Sequence, residues 1–226
     1  SDDGMSLRLI KDGRMGKART GNLNENGMKA CIDAAIASLK VSEPNDNLEP
    51  MLPLQDYRSK QDYHRETHEM TPELRAEGVV KAVNECVNHN LQAAGIHSNE
   101  GGIVAMANSK GLWASHTSSS ASFSISAMSD DSSGWAEGTD SSFSNIGYSD
   151  ITTKAIDIGL RGRNPASIEP GEYTVIFEAA AVADFLLFLG WSALNGLAMA
   201  EGRSCFSNRV GEQVVDEDEG GFAVDG

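Results

Sequence analysis

Residues 112–128, LWASHTSSSASFSISAM, decide the fold. Phe123, Ile125 and Ala127 alternate there with Ser122, Ser124 and Ser126. Successive side chains of a strand point to opposite faces, so the alternation predicts a strand with one dry face and one wet face. Just upstream, residues 91–97 and 103–107 read as two more strands. Asn99-Glu100-Gly101-Gly102 and Asn108-Ser109-Lys110-Gly111 supply the turn chemistry between them. Downstream, residues 130–138 read as a loop or hairpin tip around Trp135. Residues 151–163 read as a helix with Ile151, Ala155, Ile158 and Leu160 inward and Arg161 and Arg163 near its negative end. Asn164-Pro165 stops it, and Pro170-Gly171 turns the chain into a short apolar strand at 173–177.

Upstream of the sheet, Thr71-Pro72-Glu73 is a helix start: a capping hydroxyl, proline in the first turn, and an acid near the positive end. Leu74, Val79, Val83, Cys86 and Val87 supply its apolar stripe. Residues 41–53 are rich in Pro, Asn, Asp and Glu and read as a surface loop. Asn24 is placed to cap an earlier helix with Met28, Ile32, Ala35, Ile36 and Leu39 on one face. Before it, residues 5–10 and 15–19 flank Asp12-Gly13, a hairpin signal. These elements predict an α+β fold, with helices packed on a mainly antiparallel sheet. Residues 1–165 are expected to form one domain, and 166–226 a strand-helix segment leading into a further C-terminal domain. The first residue is not Met and the last thirteen, VVDEDEGGFAVDG, are acidic and glycine-rich, so the chain reads as a fragment of a longer protein.

The 226 residues are 40% hydrophobic and carry a formal net charge of −15, with an isoelectric point of about 4.6. Such a chain repels phosphate backbones, which argues against nucleic acid as a partner. Cys31, Cys86 and Cys205 are far apart and form no CxxC pair. That fits free thiols in a reducing compartment, and a cytoplasmic location is expected. The most apolar stretch, 179–200, contains Asp184, Gly190, Asn195 and Gly196, which favours a buried core helix over a membrane span.

Several constellations invite a chemical reading. His64-x-Glu66-x-His68 places two imidazoles four apart, as a helical metal site would, with Glu66 as a base. The order is not HExxH, however, and the flanking QDYHRETHEM has no apolar stripe, so a solvated loop before the next helix is the expectation. His116 among Ser115, Ser118, Ser119 and Ser120 lacks a GxSxG context and reads as a polar strand face. Asp130, Asp131, Glu137 and Asp140 do not follow calcium-loop spacing.

The order of blocks in the second half resembles the TldD/PmbA family, metallopeptidase-like proteins also called modulators of DNA gyrase. The resemblance is carried by GIHSNEGGIVAMANSKGLWASHTSSSASFSISAM at 95–128, SGWAEG at 133–138, RGRNPASIEPGEYTVIFEAAAVADFLLFLG at 161–190 and EGRSCFSNRVGEQVVDE at 201–217. KDGRMGKARTGNLNENG at 11–27 is similar to the family's early hairpin and first helix. Catalytic members carry HExxxH on the helix after the EPGxYTV-like strand, where two histidines hold zinc and the glutamate activates water. The resemblance puts that motif on Leu187, Phe188 and Ser192. Neither leucine nor phenylalanine can ligate zinc or accept a proton, and no histidine follows His116.

The resemblance makes residues 1–165 a partial N-terminal-type domain of that family, and it implies a PmbA-like, non-catalytic subunit without zinc of its own. It implies pairing with an HExxxH-bearing, zinc-containing sister subunit or with itself, action on peptides, and no membrane or nucleic-acid partner. The 112–128 strand is the expected edge for an extended peptide. Two alternatives stay open: an active zinc metallopeptidase whose ligands lie outside the usual motif, such as His64 and His68, and a stand-alone peptide-binding or regulatory module.

Overall fold

The computed structural model describes residues 3–57, 60, 62–209, 211 and 212. The acidic glycine-rich stretch at 214–226 lies outside the described residues. The chain divides into two compact units, one of residues 1–49 with 171–226 and the other of residues 50–170.

In the first unit, β1 (Met5–Lys11) and β2 (Arg14–Thr20) form an antiparallel hairpin in which Lys11 pairs with Arg14. Asp12 (φ 52°) and Gly13 (φ 71°) both take left-handed backbone, as a two-residue hairpin turn requires. Helix α1 (Glu25–Val41) starts where Asn24 Oδ1 accepts from the Gly27 N–H at 2.9 Å. It packs on the hairpin through Cys31 and Ala35, and the approach is close at Gly16, where a Cβ would stand 2.2 Å from the Ala35 carbonyl oxygen. The expected apolar face is only partly used: Ala35 is buried, whereas Met28, Ile32 and Ile36 are exposed.

The second unit is built on a three-stranded antiparallel sheet in the order β3 (Gln92–Ala107), β4 (Trp113–Met128), β5 (Ser133–Asp140). The alternation that predicted β4 holds: Ala121, Phe123, Ile125 and Ala127 are all buried, with half-exposed serines between them. A single helical turn, α2 (Arg65–His68), and a long helix, α3 (Pro72–Asn88), precede the sheet, and α4 (Tyr148–Arg161) follows it after a 3₁₀ turn at Phe143–Asn145. Cys86 and Ala82 of α3 and Ala155 and Ile156 of α4 close the core over the dry face of β4, together with Ala136 of β5. On α3, Val79 packs against this core, but Leu74, Val83 and Val87 are exposed.

The sheet corrects three expectations. Asn99-Glu100-Gly101-Gly102 is not a turn, because β3 runs straight through it and pairs with Ala121 to Ser118 of β4. Residues 133–138 are not a loop but part of β5, whose Gly134 faces α4 so closely that a Cβ there would meet the Ala155 carbonyl oxygen at 2.1 Å. The β4 strand is central rather than an edge, since β5 pairs with its C-terminal half and Asp62 bridges to Ser118. Helix α4 also begins three residues earlier than the 151–163 reading, with the Ile151 N–H donating to the Gly147 carbonyl.

Residues 171–212 differ most from expectation. Residues 173–177 form no ladder among the described residues, and Ile176 is 95% exposed. A strand needs a hydrogen-bonding neighbour, and no described segment supplies one. The predicted continuous helix is broken into α5 (Ala179–Ser192) and α6 (Gly196–Ala200). Nor is it a core helix: no residue of α5 is buried, and Phe185, Phe188 and Trp191 are more than half exposed. Its apolar residues lie all round the helix, and no described element of its own unit packs on it closely enough to bury them. Among the described residues no helix is long and apolar enough to cross a membrane.

Candidate functional site

The residues that match the HExxxH positions lie on α5. Leu187 is 49% exposed and Phe188 67% exposed, and the Ser192 hydroxyl donates to the Phe188 carbonyl at 2.7 Å. The helix is regular α through Ser192. At roughly 100° per residue, positions 187 and 192 point about 140° apart, so even ligating side chains would not converge on one ion. The donor set does not fit zinc: two hydrocarbon side chains and a hydroxyl already hydrogen-bonded to its own helix.

Beyond α5 the chain folds back on itself through serine hydroxyls. Asn195 Oδ1 caps α6, accepting from the Leu197 and Ala198 N–H groups at 3.0 and 3.1 Å. Buried Ser204 donates to the Ala193 carbonyl at 2.6 Å and accepts from the Phe206 N–H at 3.1 Å. Ser207 donates to the Met199 carbonyl at 3.2 Å. The SCFSN run is thus a local brace that fixes the α5–α6 corner.

The second constellation, His64, Glu66 and His68, falls on α2 and its N-terminal flank, not on a solvated loop. His64 Nδ1 lies 3.5 Å from Glu66 Oε1, while His68 Nδ1 pairs with the Tyr63 hydroxyl at 3.0 Å. The two imidazoles are engaged by different partners. Among the described residues no three His, Cys, Asp or Glu side chains stand where they could share a metal ion. His116 reaches Asp62 at 3.8 Å. Ser119 is buried, accepts from the His64 N–H at 2.8 Å and donates to the Ser141 carbonyl at 2.8 Å, so it is a structural tie. Asp131 and Asp140 act as loop anchors: Asp131 accepts from the Asn164 N–H at 2.7 Å and Asp140 from the Ser142 N–H at 2.8 Å. These backbone donors hold both carboxyls below the usual range.

Two features had no counterpart in the sequence reading. Asn99 donates to the Thr67 and His68 carbonyls at 2.8 and 3.1 Å and accepts from Arg75, pinning α2 and the start of α3 to the sheet. Its place in a glycine-rich stretch made it look like a turn residue. The other is a groove of about 600 Å³ between α3 and α4, floored by Met70, Leu74, Gly78, Phe143 and Tyr148. Under it, His97 Nδ1 lies 3.1 Å from the Arg75 carbonyl and Nε2 lies 3.0 Å from the Tyr148 hydroxyl. A carbonyl can only accept, so Nδ1 carries a proton, and in the neutral imidazole Nε2 accepts from the Tyr148 hydroxyl. Burial pushes the Tyr148 phenol up.

A mixed fold of this kind, with helices packed on an antiparallel sheet, is shared with solved proteins described as modulators of DNA gyrase. The structure from Thermotoga maritima superposes with a TM-score of 0.76 at 16% identity, over 90% of this chain and 47% of that one. The structure from Bacteroides thetaiotaomicron gives 0.74 at 19% identity, over 91% of this chain and 49% of that one. TldE from Thermococcus kodakarensis gives 0.54 at 22% identity, over 66% of this chain and 36% of that one. The chain thus spans about half the length of the first two of these proteins. No curated protein matches it. Two models of one family match in series: the PmbA/TldA metallopeptidase central domain over residues 56–163 and the C-terminal domain over residues 170–218. The chain belongs to the TldD/PmbA family.

Proposed function

We propose that this chain is a non-catalytic subunit of a TldD/PmbA-type metallopeptidase assembly that acts on peptides. The observation that carries this reading is α5: at the motif positions it presents Leu187 and Phe188, exposed hydrocarbon where a catalytic member presents a ligand and a base. A large exposed apolar surface is costly in water and marks a surface awaiting cover. The cover proposed is an HExxxH-bearing sister subunit, which supplies the zinc and its activated water. The peptide would lie extended. With β4 between β3 and β5, an added strand would pair with one of the two outer edges of the sheet, that of β3 or that of β5. A cytoplasmic setting fits the three free thiols.

The test is co-expression of the full-length protein with an HExxxH-bearing relative from the same source, followed by size-exclusion chromatography, elemental analysis and a peptide-cleavage assay. The expected result is a stable complex holding zinc on the relative's side only, with cleavage dependent on both chains. If the relative cleaves equally well alone, or if zinc travels with this chain and is lost in a His64→Ala, His68→Ala variant, the reading is wrong.

A further inference from the structure

The β1–β2 hairpin is a basic island in an acidic chain. Residues 5–20 hold five of the chain's 18 lysines and arginines and a single acid, Asp12, although the net charge of the whole is −15. Helix α1 packs on the hairpin face that carries Gly16. Cross-strand partners share a face, so the register puts Ser6, Arg8 and Ile10 with Arg19, Lys17 and Met15 on the opposite one. Arg8, Lys17 and Arg19 are exposed there around a shallow concavity of about 420 Å³. None of the three forms an ion pair among the described residues. Arg14, by contrast, turns to donate to the Ser42 carbonyl at the end of α1. Arg8 and Lys17 are direct partners in the ladder. Like charges directly opposite each other destabilise a strand pair, and a carboxylate seated between them would offset that repulsion.

From this arrangement we infer that the outer face of the β1–β2 hairpin is a docking surface for an extended, acidic segment of a partner polypeptide. Charge and shape select the occupant. Same-face positions along an extended chain repeat every ~7 Å, so carboxylates two residues apart in the partner match Lys17 and Arg19, with Arg8 beside Lys17. The guanidinium groups of Arg8 and Arg19 can each hold a carboxylate through two parallel N–H donors. Outside the hairpin the chain is strongly acidic and repels anions. A folded acidic protein or a nucleic-acid duplex would carry many negative charges toward that acidic remainder, whereas a single extended strand carries few. Single-stranded nucleic acid is held by stacking on aromatic rings, and no Phe, Tyr, Trp or His occurs before Tyr57. An anionic membrane is ordinarily held by a cluster of about four to eight cations, more than this face presents. The inference goes beyond the proposed function: it involves neither the α5 motif nor either outer edge of the β3–β4–β5 sheet.

The test is fluorescence anisotropy with the full-length protein and a labelled Glu-Ser repeat peptide, which presents a carboxylate at every second residue. Binding at roughly 10–100 μM is expected at low salt, weakened about tenfold or more by molar salt. Gln-Ser and Lys-Ser repeats should not bind. Arg8→Gln with Lys17→Gln should weaken the Glu-Ser complex by about tenfold, and Arg19→Gln alone should weaken it in the same direction. Lys110→Gln, the same loss of charge outside the hairpin, should leave it unaltered. All four side chains are exposed, and thermal unfolding followed by circular dichroism verifies that each variant folds. Failure of the Glu-Ser peptide to bind overturns the inference. So does binding that the hairpin variants do not weaken, or that the Gln-Ser peptide matches. Tighter binding of an oligothymidylate or of phosphatidylserine–phosphatidylcholine vesicles, lost in the same variants, would overturn it too and assign the face to a nucleic acid or a membrane.

Discussion

At the scale of single residues, the second unit is held by polar side chains whose partners lie far along the chain. Asn99, Thr67 and Ser119 each hydrogen-bond part-buried backbone groups distant in the chain. The His97–Tyr148 pair is the clearest case, because the Arg75 carbonyl fixes the tautomer and leaves Nε2 dependent on one phenol. Tyr148→Phe keeps the ring that packs on Phe123 and removes only that donor. It should cost about 1–2 kcal/mol, read as a lowered urea midpoint at unchanged slope. An unchanged midpoint would mean that water replaces the phenol. Sequence alone showed a histidine and a tyrosine 51 positions apart. Nothing local linked them.

At the scale of elements, local signals were strong where an element closes its own hydrogen bonds. The Asp12-Gly13 hairpin, the Asn24 cap and the Thr71-Pro72 start were all legible, because each satisfies backbone groups a few residues away. The glycines misled. Gly101 and Gly102 look like turn residues, yet both lie in β3, with the His68 ring against Gly101 and open space at Gly102. Gly134 looked like part of a loop and is the seat of α4 on β5. Opposite outcomes are therefore expected at two glycines in strands. Gly134→Ala should cost about 3 kcal/mol or more, because the atoms it meets are backbone of α4 and cannot swing aside. Gly102→Ala should be neutral or stabilise by about 0.5 kcal/mol, since its backbone needs no positive φ and nothing stands within 4 Å. Chemical denaturation of the two variants measures both. Equal costs would show that strand glycine itself, rather than the approach of α4, sets the effect.

At the scale of the whole molecule, the question is what α5 is for. An apolar composition led to the expectation of a core helix, yet its side chains face solvent in this chain. Phe188→Lys should therefore leave the unfolding temperature of the 226-residue chain nearly unchanged, within about 0.5 kcal/mol of stability, while raising solubility. A large loss of stability would place Phe188 in a core after all. In the full-length assembly the same substitution should weaken subunit association, so the two measurements together separate a folding role from an interface role.

The sequence by itself determined the α+β class, the alternating dry face of β4, the capped helices and the family. These rest on periodicity, capping chemistry and block order, all of which are local in the chain. It also determined that Leu187, Phe188 and Ser192 cannot make a zinc site, which follows from side-chain chemistry alone. Only the tertiary structure decided that β4 is central, that Asn99 and Asn108 hold distant loops rather than serve turns alone, and that α5 is uncovered. Strand order and helix exposure depend on which surface meets which. That choice is made by packing between segments far apart in sequence, and an apolar run reads the same whether its partner is present or absent.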